Sequence, residues 1–179
     1  MTKVLIVSDN HGDRAILERL VAGWKAKVDL MIHCGDSEIP SQDPLMQSFV
    51  RVAGNNDWHL GYAPDQLVLV GGARILVTHG HHYGVDSSMT PLMLKGESTG
   101  ADIVCFGHTH QLFATVERGM LMVNPGSISL PRGQFAVLSG TFAVVTVTPQ
   151  MFTVDFYDRD SHRQPKLHQE FSREERAHD

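Results

Sequence analysis

Histidine, aspartate and asparagine recur in this chain at spacings that suit metal-assisted hydrolysis. Asp9 and His11 form Asp-x-His, and Asp36 follows Gly35. Asn55 follows Gly54, His79 precedes Gly80, and His108 with His110 forms Gly-His-x-His. Imidazole, carboxylate and amide offer mixed nitrogen and oxygen ligands, which suit Mn, Fe, Zn, Co or Ni. The set lacks a thiolate, which argues against a structural zinc knot. Seven protein groups are too many for one ion. They suit two ions that share a carboxylate, about 3.5–4 Å apart. Two dications outweigh two carboxylates and one hydroxide, so such a site attracts phosphate. Bound water there would have a pKa near ~7, a nucleophile at neutral pH. Residues two apart in an extended segment point the same way, so each of the pairs Asp9/His11 and His108/His110 is expected to face one spot. The adjacent glycines let the backbone turn sharply beside it.

The elements that must carry these groups are short. Runs 4–7, 30–32, 50–53, 75–77 and 103–106 read as buried strands, and each runs into one of the polar clusters. Ligands of open α/β sheets sit beyond the carboxyl ends of strands. Asp13 is placed to cap a helix whose Ile16, Leu17, Leu20, Val21 and Trp24 keep a 3.6 period. Runs 67–70 and 75–77 flank Gly71 and Gly72 as a hairpin. A second helix is expected after Asp86 and Ser87, with Pro91 in its first turn. Later runs, at 121–123, 135–138, 143–147 and 152–156, all read as strands. Strand and helix alternate first and strands follow, which implies an α/β sandwich with a mixed sheet. The domain is expected to span 1–157. Residues 158–179 are charged, contain Pro165 and lack periodicity, and so read as a flexible tail.

Composition narrows the function classes. The 179 residues are 42% apolar and 20% charged, as in one globular domain. Lys+Arg 15 against Asp+Glu 20 gives a net charge of -5, so no basic field exists to hold long nucleic acid. The apolar runs are too short for a membrane helix, and the N-terminus reads as a strand rather than a signal peptide. Cys34 and Cys105 lie in apolar runs and form no disulfide framework, which points to a reducing cytoplasm. Homo-oligomerisation through the late apolar strands is a further expectation.

Taken in order, Asp-x-His, Gly-Asp, Gly-Asn-x-Asp, His-Gly and Gly-His-x-His resemble the calcineurin-like metallophosphoesterase superfamily. The Ser-Asp-x-His-Gly opening and Asn124-Pro125-Gly126-Ser127 are similar to its small prokaryotic phosphodiesterase branch. Each motif alone is weak, and five in order are specific. The resemblance implies a four-layer αββα sandwich, two mixed sheets flanked by helices. It implies that Asp9, His11 and His110 hold one metal, that Asn55, His79 and His108 hold another, and that Asp36 bridges them. Asp36, Asn55 and His108 would then act in catalysis, with His81 as a phosphate contact. The implied reaction is attack of metal-bound hydroxide on the phosphorus of a small phosphate ester, with two divalent ions, Mn first and Zn, Fe, Ni or Co as alternatives.

One departure bears on mechanism. Relatives carry His or Cys after the ligand Asn, and this chain has Asn56. An amide is no general acid, so good leaving groups are favoured, or His59, His81 or His82 supplies the proton. Two other functions compete. A eukaryotic retromer subunit uses the same fold as a protein-binding scaffold, but that reading expects eroded ligand positions and all seven are present here. Metal-dependent amidohydrolases open with His-x-His on the first strand, and this chain places it late.

Overall fold

Period-two alternation decides which layer each strand side chain enters. The computed structural model describes residues 1–173. One sheet contains β1 (Thr2–Val7), β2 (Leu30–His33), β3 (Val50–Arg51), β9 (Thr141–Val147), β10 (Met151–Asp158) and β11 (Gln169–Ser172). Its order is β11-β10-β9-β1-β2-β3, with β1, β2 and β3 parallel and the others antiparallel. The second sheet contains β4 (Asp65–Val70), β5 (Ala73–Thr78), β6 (Ile103–Cys105), β7 (Leu112–Glu117) and β8 (Met120–Pro125). Its order is β4-β5-β6-β8-β7, with β5, β6 and β8 parallel.

Val4 and Ile6 of β1 face the second sheet and share a buried core with Ile75, Val77, Leu121, Val123 and Val145. Leu5 and Val7 face outward, where Ile16, Leu17 and Leu20 of α1 (Arg14–Trp24) cover them. Leu76, Met120 and Met122 face outward from the second sheet onto Leu92 of α2 (Thr90–Ser98). The layers are therefore helix, sheet, sheet, helix, the sandwich that the motifs imply. Asp13 caps α1 as expected, its Oδ1 accepting from Ile16 N at 3.2 Å. Gly71 and Gly72 have φ of 56° and 78° and turn β4 into β5.

Two sequence expectations need correction, and one strand had no expectation at all. Residues 158–173 are not a flexible tail, because β11 pairs with β10 and Phe171 packs against the inter-sheet core. Asp155 secures the connection, accepting from Arg163 at 2.7 Å and His168 at 2.7 Å. One aromatic residue in a charged stretch gives no periodic signal, and residues 174–179 lie outside the described part. Residues 135–138 are not a strand but belong to a 3-10 helix, Gly133–Leu138, that leaves Val137 83% exposed. Left-handed backbone at Gly133 and Ser139 closes both of its ends. The strand β7 was not expected, although Arg118 and Gly119, with φ of 52° and 72°, form a two-residue turn into β8. The helix expected after Asp86 and Ser87 is α2, with Pro91 in its first turn, and the Asp86 carboxylate accepts from His108 at 2.8 Å.

Candidate metal centre

The loops that leave β1, β2, β5 and β6 are tied together before any side chain converges. Asp9 N donates to Gly35 O at 3.1 Å and His11 N to Asp36 O at 3.1 Å, which extends the β1–β2 ladder beyond the strands. Gly107 N donates to His79 O at 3.0 Å in the other sheet. His108 N then donates to Asp9 Oδ2 at 3.2 Å and joins the two sheets. The Asn124–Ser127 turn supports both loops from below. Asn124 Nδ2 donates to Gly107 O at 2.8 Å and Ser127 Oγ to Asp9 O at 2.7 Å. Close approach explains two glycines. A Cβ on Gly54 would strike the Asp36 carboxylate, and one on Gly107 would strike Ser8 and Asp9.

The backbone that presents the ligands is left-handed rather than extended. Asp9, His11, Asp36, His108 and His110 have φ between 45° and 70°. Such conformations cost non-glycine residues about 1–2 kcal/mol each and persist only where the surroundings impose them. The expected period-two pairing therefore has a different physical basis. Asp9 and His11 converge through a kink, while His108 and His110 part company into separate groups.

The first group brings Asp9 Oδ1 within 3.3 Å of His110 Nε2 and 3.9 Å of His11 Nε2. His11 Nε2 and His110 Nε2 are 3.2 Å apart. In the second group, His79 Nε2 lies 3.1 Å from Asn55 Oδ1, 3.6 Å from Asp36 Oδ2 and 3.9 Å from Asp9 Oδ1. His108 Nδ1 is 3.0 Å from the same Asn55 oxygen. Asp9, His11 and His110 could hold one ion, and Asp9, Asp36 and His79 another. Asp9 is thus the member common to both groups, and Asp36 stands beside it.

Outer partners set the tautomer of every histidine in the cluster. His11 Nδ1 donates to Glu38 Oε1 at 2.9 Å, and His110 Nδ1 donates to the Leu130 carbonyl at 2.8 Å. His79 Nδ1 donates to the Cys34 carbonyl at 2.7 Å, and His108 Nε2 donates to Asp86 Oδ2 at 2.8 Å. As neutral imidazoles, all four then turn lone pairs inward, the usual arrangement of metal-ligating histidine. The inward atoms are acceptors facing acceptors. Asp9 Oδ1 is fully buried and has no aligned hydrogen-bond donor. A cation between these atoms removes the repulsion, so the donor set fits divalent metal.

Protonation follows the same geometry. Burial pushes the Asp9 carboxyl up, but the adjacent His110 and His79 imidazoles and the Ser8 hydroxyl outweigh it and hold it below the usual range. Burial raises Asp36, against the lowering effect of His79 and of the Asn56 amide. The adjacent Asp9 carboxylate raises His110, against its burial. His81 is pushed down to about 4, first by burial and then by its histidine neighbours. It meets the second group edge-on, 5.2 Å from the His79 ring at 61°, and is neutral at pH 7.

The structure therefore gathers Asp9, His11, Asp36, Asn55, His79, His108 and His110 at one place, with His81 at its back. Other participants were missed. Glu38 and Asp86 orient ligand histidines, and Arg132 joins His11, Asp36, Asn55, Asn56, His108 and His110 around a cleft of about 340 Å3. Buried Asp57 accepts from Ser37, Glu38 and Gly54 backbone N–H groups and locks the Asn55 turn to the Asp36 loop. His33 donates to Asn10 Oδ1 at 2.8 Å beneath the site. Asn56 donates its side-chain N–H to Glu38 at 3.1 Å and its backbone N–H to Asp36 at 2.8 Å. Sequence signals for these roles were faint: a Gly-Asp-x-Glu spacing for Glu38, and the third position after a glycine for Asp57.

Residues 2–150 match the family model of the calcineurin-like phosphoesterase superfamily domain. This chain belongs to that superfamily. Its members are hydrolases of phosphoester bonds, and this chain is one of them. It is 41% identical to the probable metallophosphoesterase YsnB of Bacillus subtilis over 156 residues, 87% of this chain and 90% of that protein. It is 26% identical to phosphodiesterase YfcE of Escherichia coli over 159 residues, 74% of this chain and 83% of that protein. A crystal structure from Streptococcus pneumoniae TIGR4, described as a conserved protein and predicted phosphoesterase, superposes with a TM-score of 0.92 at 35% identity. That match covers 96% of this chain and 98% of the other.

Proposed function

We propose that this phosphoesterase is a phosphodiesterase that works with two divalent transition-metal ions. Asp9, His11 and His110 would hold one ion, and Asn55, His79 and His108 the other, with Asp36 bridging them. Mn is the first choice and Zn, Fe, Ni or Co the alternatives, since all accept mixed imidazole and oxygen ligands. One observation carries the proposal: the Nε2 atoms of His11, His79 and His110 crowd within 3.9 Å of the buried Asp9 Oδ1, which has no hydrogen-bond partner among the described residues. When bound, such ions polarise phosphoryl oxygens and acidify water to a pKa near ~7.

The chain's own residues do the rest. Arg132 lies at the cleft, and among the described residues its guanidinium has no ion pair or hydrogen bond. It is placed to orient an anionic phosphoryl group. Asn56 has no acidic proton and His81 is neutral, so neither protonates the leaving oxygen near pH 7. Esters whose leaving groups are stable anions are therefore favoured, and His59, which lines the adjoining cleft, or His82 is the remaining candidate acid for poorer ones. The cleft is shallow and small, which supports a small phosphate ester rather than long nucleic acid or a membrane surface as substrate. Among the described residues no helix is long and apolar enough to cross a membrane. Both cysteines are buried and free, which supports a cytoplasmic setting.

Hydrolysis of bis(p-nitrophenyl) phosphate with added Mn, with chelator and by Asp36→Asn tests the proposal. The expected result is turnover that chelator abolishes and that Asp36→Asn lowers more than about a hundredfold. Full activity in chelator would overturn the metal role. Failure with Mn, Zn, Fe, Ni and Co alike would overturn the phosphodiesterase.

A further inference from the structure

Trp58 is the largest exposed apolar side chain beside the site, 83% accessible. Its position is not that of a frayed loop. The turn that carries it is clamped by Asp57, whose buried carboxylate accepts three backbone N–H groups. Asp57 N also donates to Gly54 O at 3.1 Å, and Leu60 N to Asp57 O at 2.9 Å. The His59 ring stands 4.8 Å from the indole at 59°. Trp58, His59, Asn55, Asn56, Glu38 and Leu60 line a second cleft, of about 420 Å3. Asn55 and Asn56 line both clefts, so the indole cleft is continuous with the candidate metal centre. Trp24 shows the contrast. It packs edge-on against Phe142 and Tyr157 and donates to Ser161 at 3.1 Å. Among the described residues, the Trp58 indole nitrogen has no hydrogen-bond partner.

An indole carried on so clamped a turn leaves roughly 200 Å2 of apolar surface exposed unless something covers it. A flat aromatic ring attached to a phosphate is the chemistry that fits. The phosphate would sit at the acceptor cluster beside Arg132, and the ring would stack on Trp58 with the His59 imidazole and the Asn56 amide at its edge. We infer that Trp58 and His59 form a subsite for the aromatic substituent of the ester, a nucleobase in the first instance. Base-on-aromatic stacking favours a ring over an alkyl group by about five- to a hundredfold. This inference rests on the phosphoesterase reading of the neighbouring cleft, and it assigns the substrate class as nucleotidyl or aryl phosphate esters.

Tryptophan fluorescence tests it without turnover. Zinc-loaded protein is titrated with adenosine 5′-monophosphate and with methyl phosphate, for wild type, Trp58→Ala and Trp58→Phe. Comparison with Trp58→Phe separates the Trp58 emission from that of Trp24. The expected result is saturable quenching by the nucleotide and at least fivefold tighter binding than methyl phosphate. Trp58→Ala should lose that preference, and Trp58→Phe should keep most of it. Equal affinity for the two ligands in wild type would overturn the subsite, as would a preference that survives Trp58→Ala. A changed oligomeric mass in Trp58→Ala with an unchanged preference would assign the indole to a contact between copies and likewise overturn it. The same preparations are assayed on bis(p-nitrophenyl) phosphate. Nucleotide preference without metal-dependent hydrolysis would sustain the subsite and sink the phosphodiesterase. Hydrolysis without a Trp58-dependent preference would do the reverse.

Discussion

The inter-sheet core and the loop rim above it lie only a few residues apart in sequence, and they obey opposite rules. Val4 and Ile6 are β-branched residues on a strand, in extended backbone, packed against other apolar groups. Asp9 and His11, just beyond, are left-handed at non-glycine positions and crowd acceptor against acceptor. Local preference and tertiary packing agree in the core and conflict at the rim. The rim keeps its shape because both sheets, the Asn124–Ser127 turn and Asp57 hold it from outside. Stability therefore resides in the core, and the strained rim draws on it.

Four measurements would break or sharpen that contrast. Phe156 is fully buried between the sheets, so Phe156→Ala should lower stability by about 3–5 kcal/mol in urea denaturation. Turnover per folded molecule should not change. A matching fall in turnover would show that core and rim are not separable.

His33 comes next, because it links the two regions. Burial pushes its pKa to about 4, against an ordinary 6.5. Between those values the unfolded chain binds the extra proton and the folded one does not. The stabilisation is complete above pH 6.5 and is lost as pH falls toward 4, by about 3 kcal/mol. Denaturation midpoints from pH 7 to pH 4 should fall in wild type and fall less in His33→Gln. Parallel curves would mean that His33 is protonated in the folded protein.

Asp86→Ala removes the acceptor that orients His108. Metal affinity should drop about tenfold or more by calorimetric titration, with little change in the stability of the metal-free protein. An affinity within twofold of wild type would show that packing alone orients the ring. The smallest effect should be the most telling. His11→Gly removes a left-handed residue with φ of 45° and one crowded acceptor. The metal-free protein should gain about 1 kcal/mol. A clear loss of stability would show that the rim is packed like the core.

Much of the rim was legible because its residues stand at the ends of apolar runs. Short continuous apolar runs located β1, β2, β5 and β6, a 3.6 period located α1, and the clusters after the runs held every ligand type that the site assembles. Legibility failed where a single residue acts at long range. Phe171 draws β11 onto the sheet, and Asp155 holds Arg163 and His168 behind it, without any periodic run. The 133–138 segment has strand composition, but no neighbouring strand receives it, and it closes as a 3-10 helix.

The sequence by itself determined the layered sandwich, the chemistry of the ligands and the strand ends where they lie, because these follow from side-chain type and local period. The tertiary structure decided how the ligands are grouped, which the family resemblance implied but side-chain type and local period did not. It sent His110 to Asp9 and His11, and His108 to Asn55. It also supplied Glu38, Asp86 and two backbone carbonyls to turn the imidazoles inward. Those assignments depend on hydrogen bonds between loops far apart in the chain and on left-handed backbone at non-glycine residues. Neither leaves a local signature, because both are imposed by packing from outside the segment that shows them.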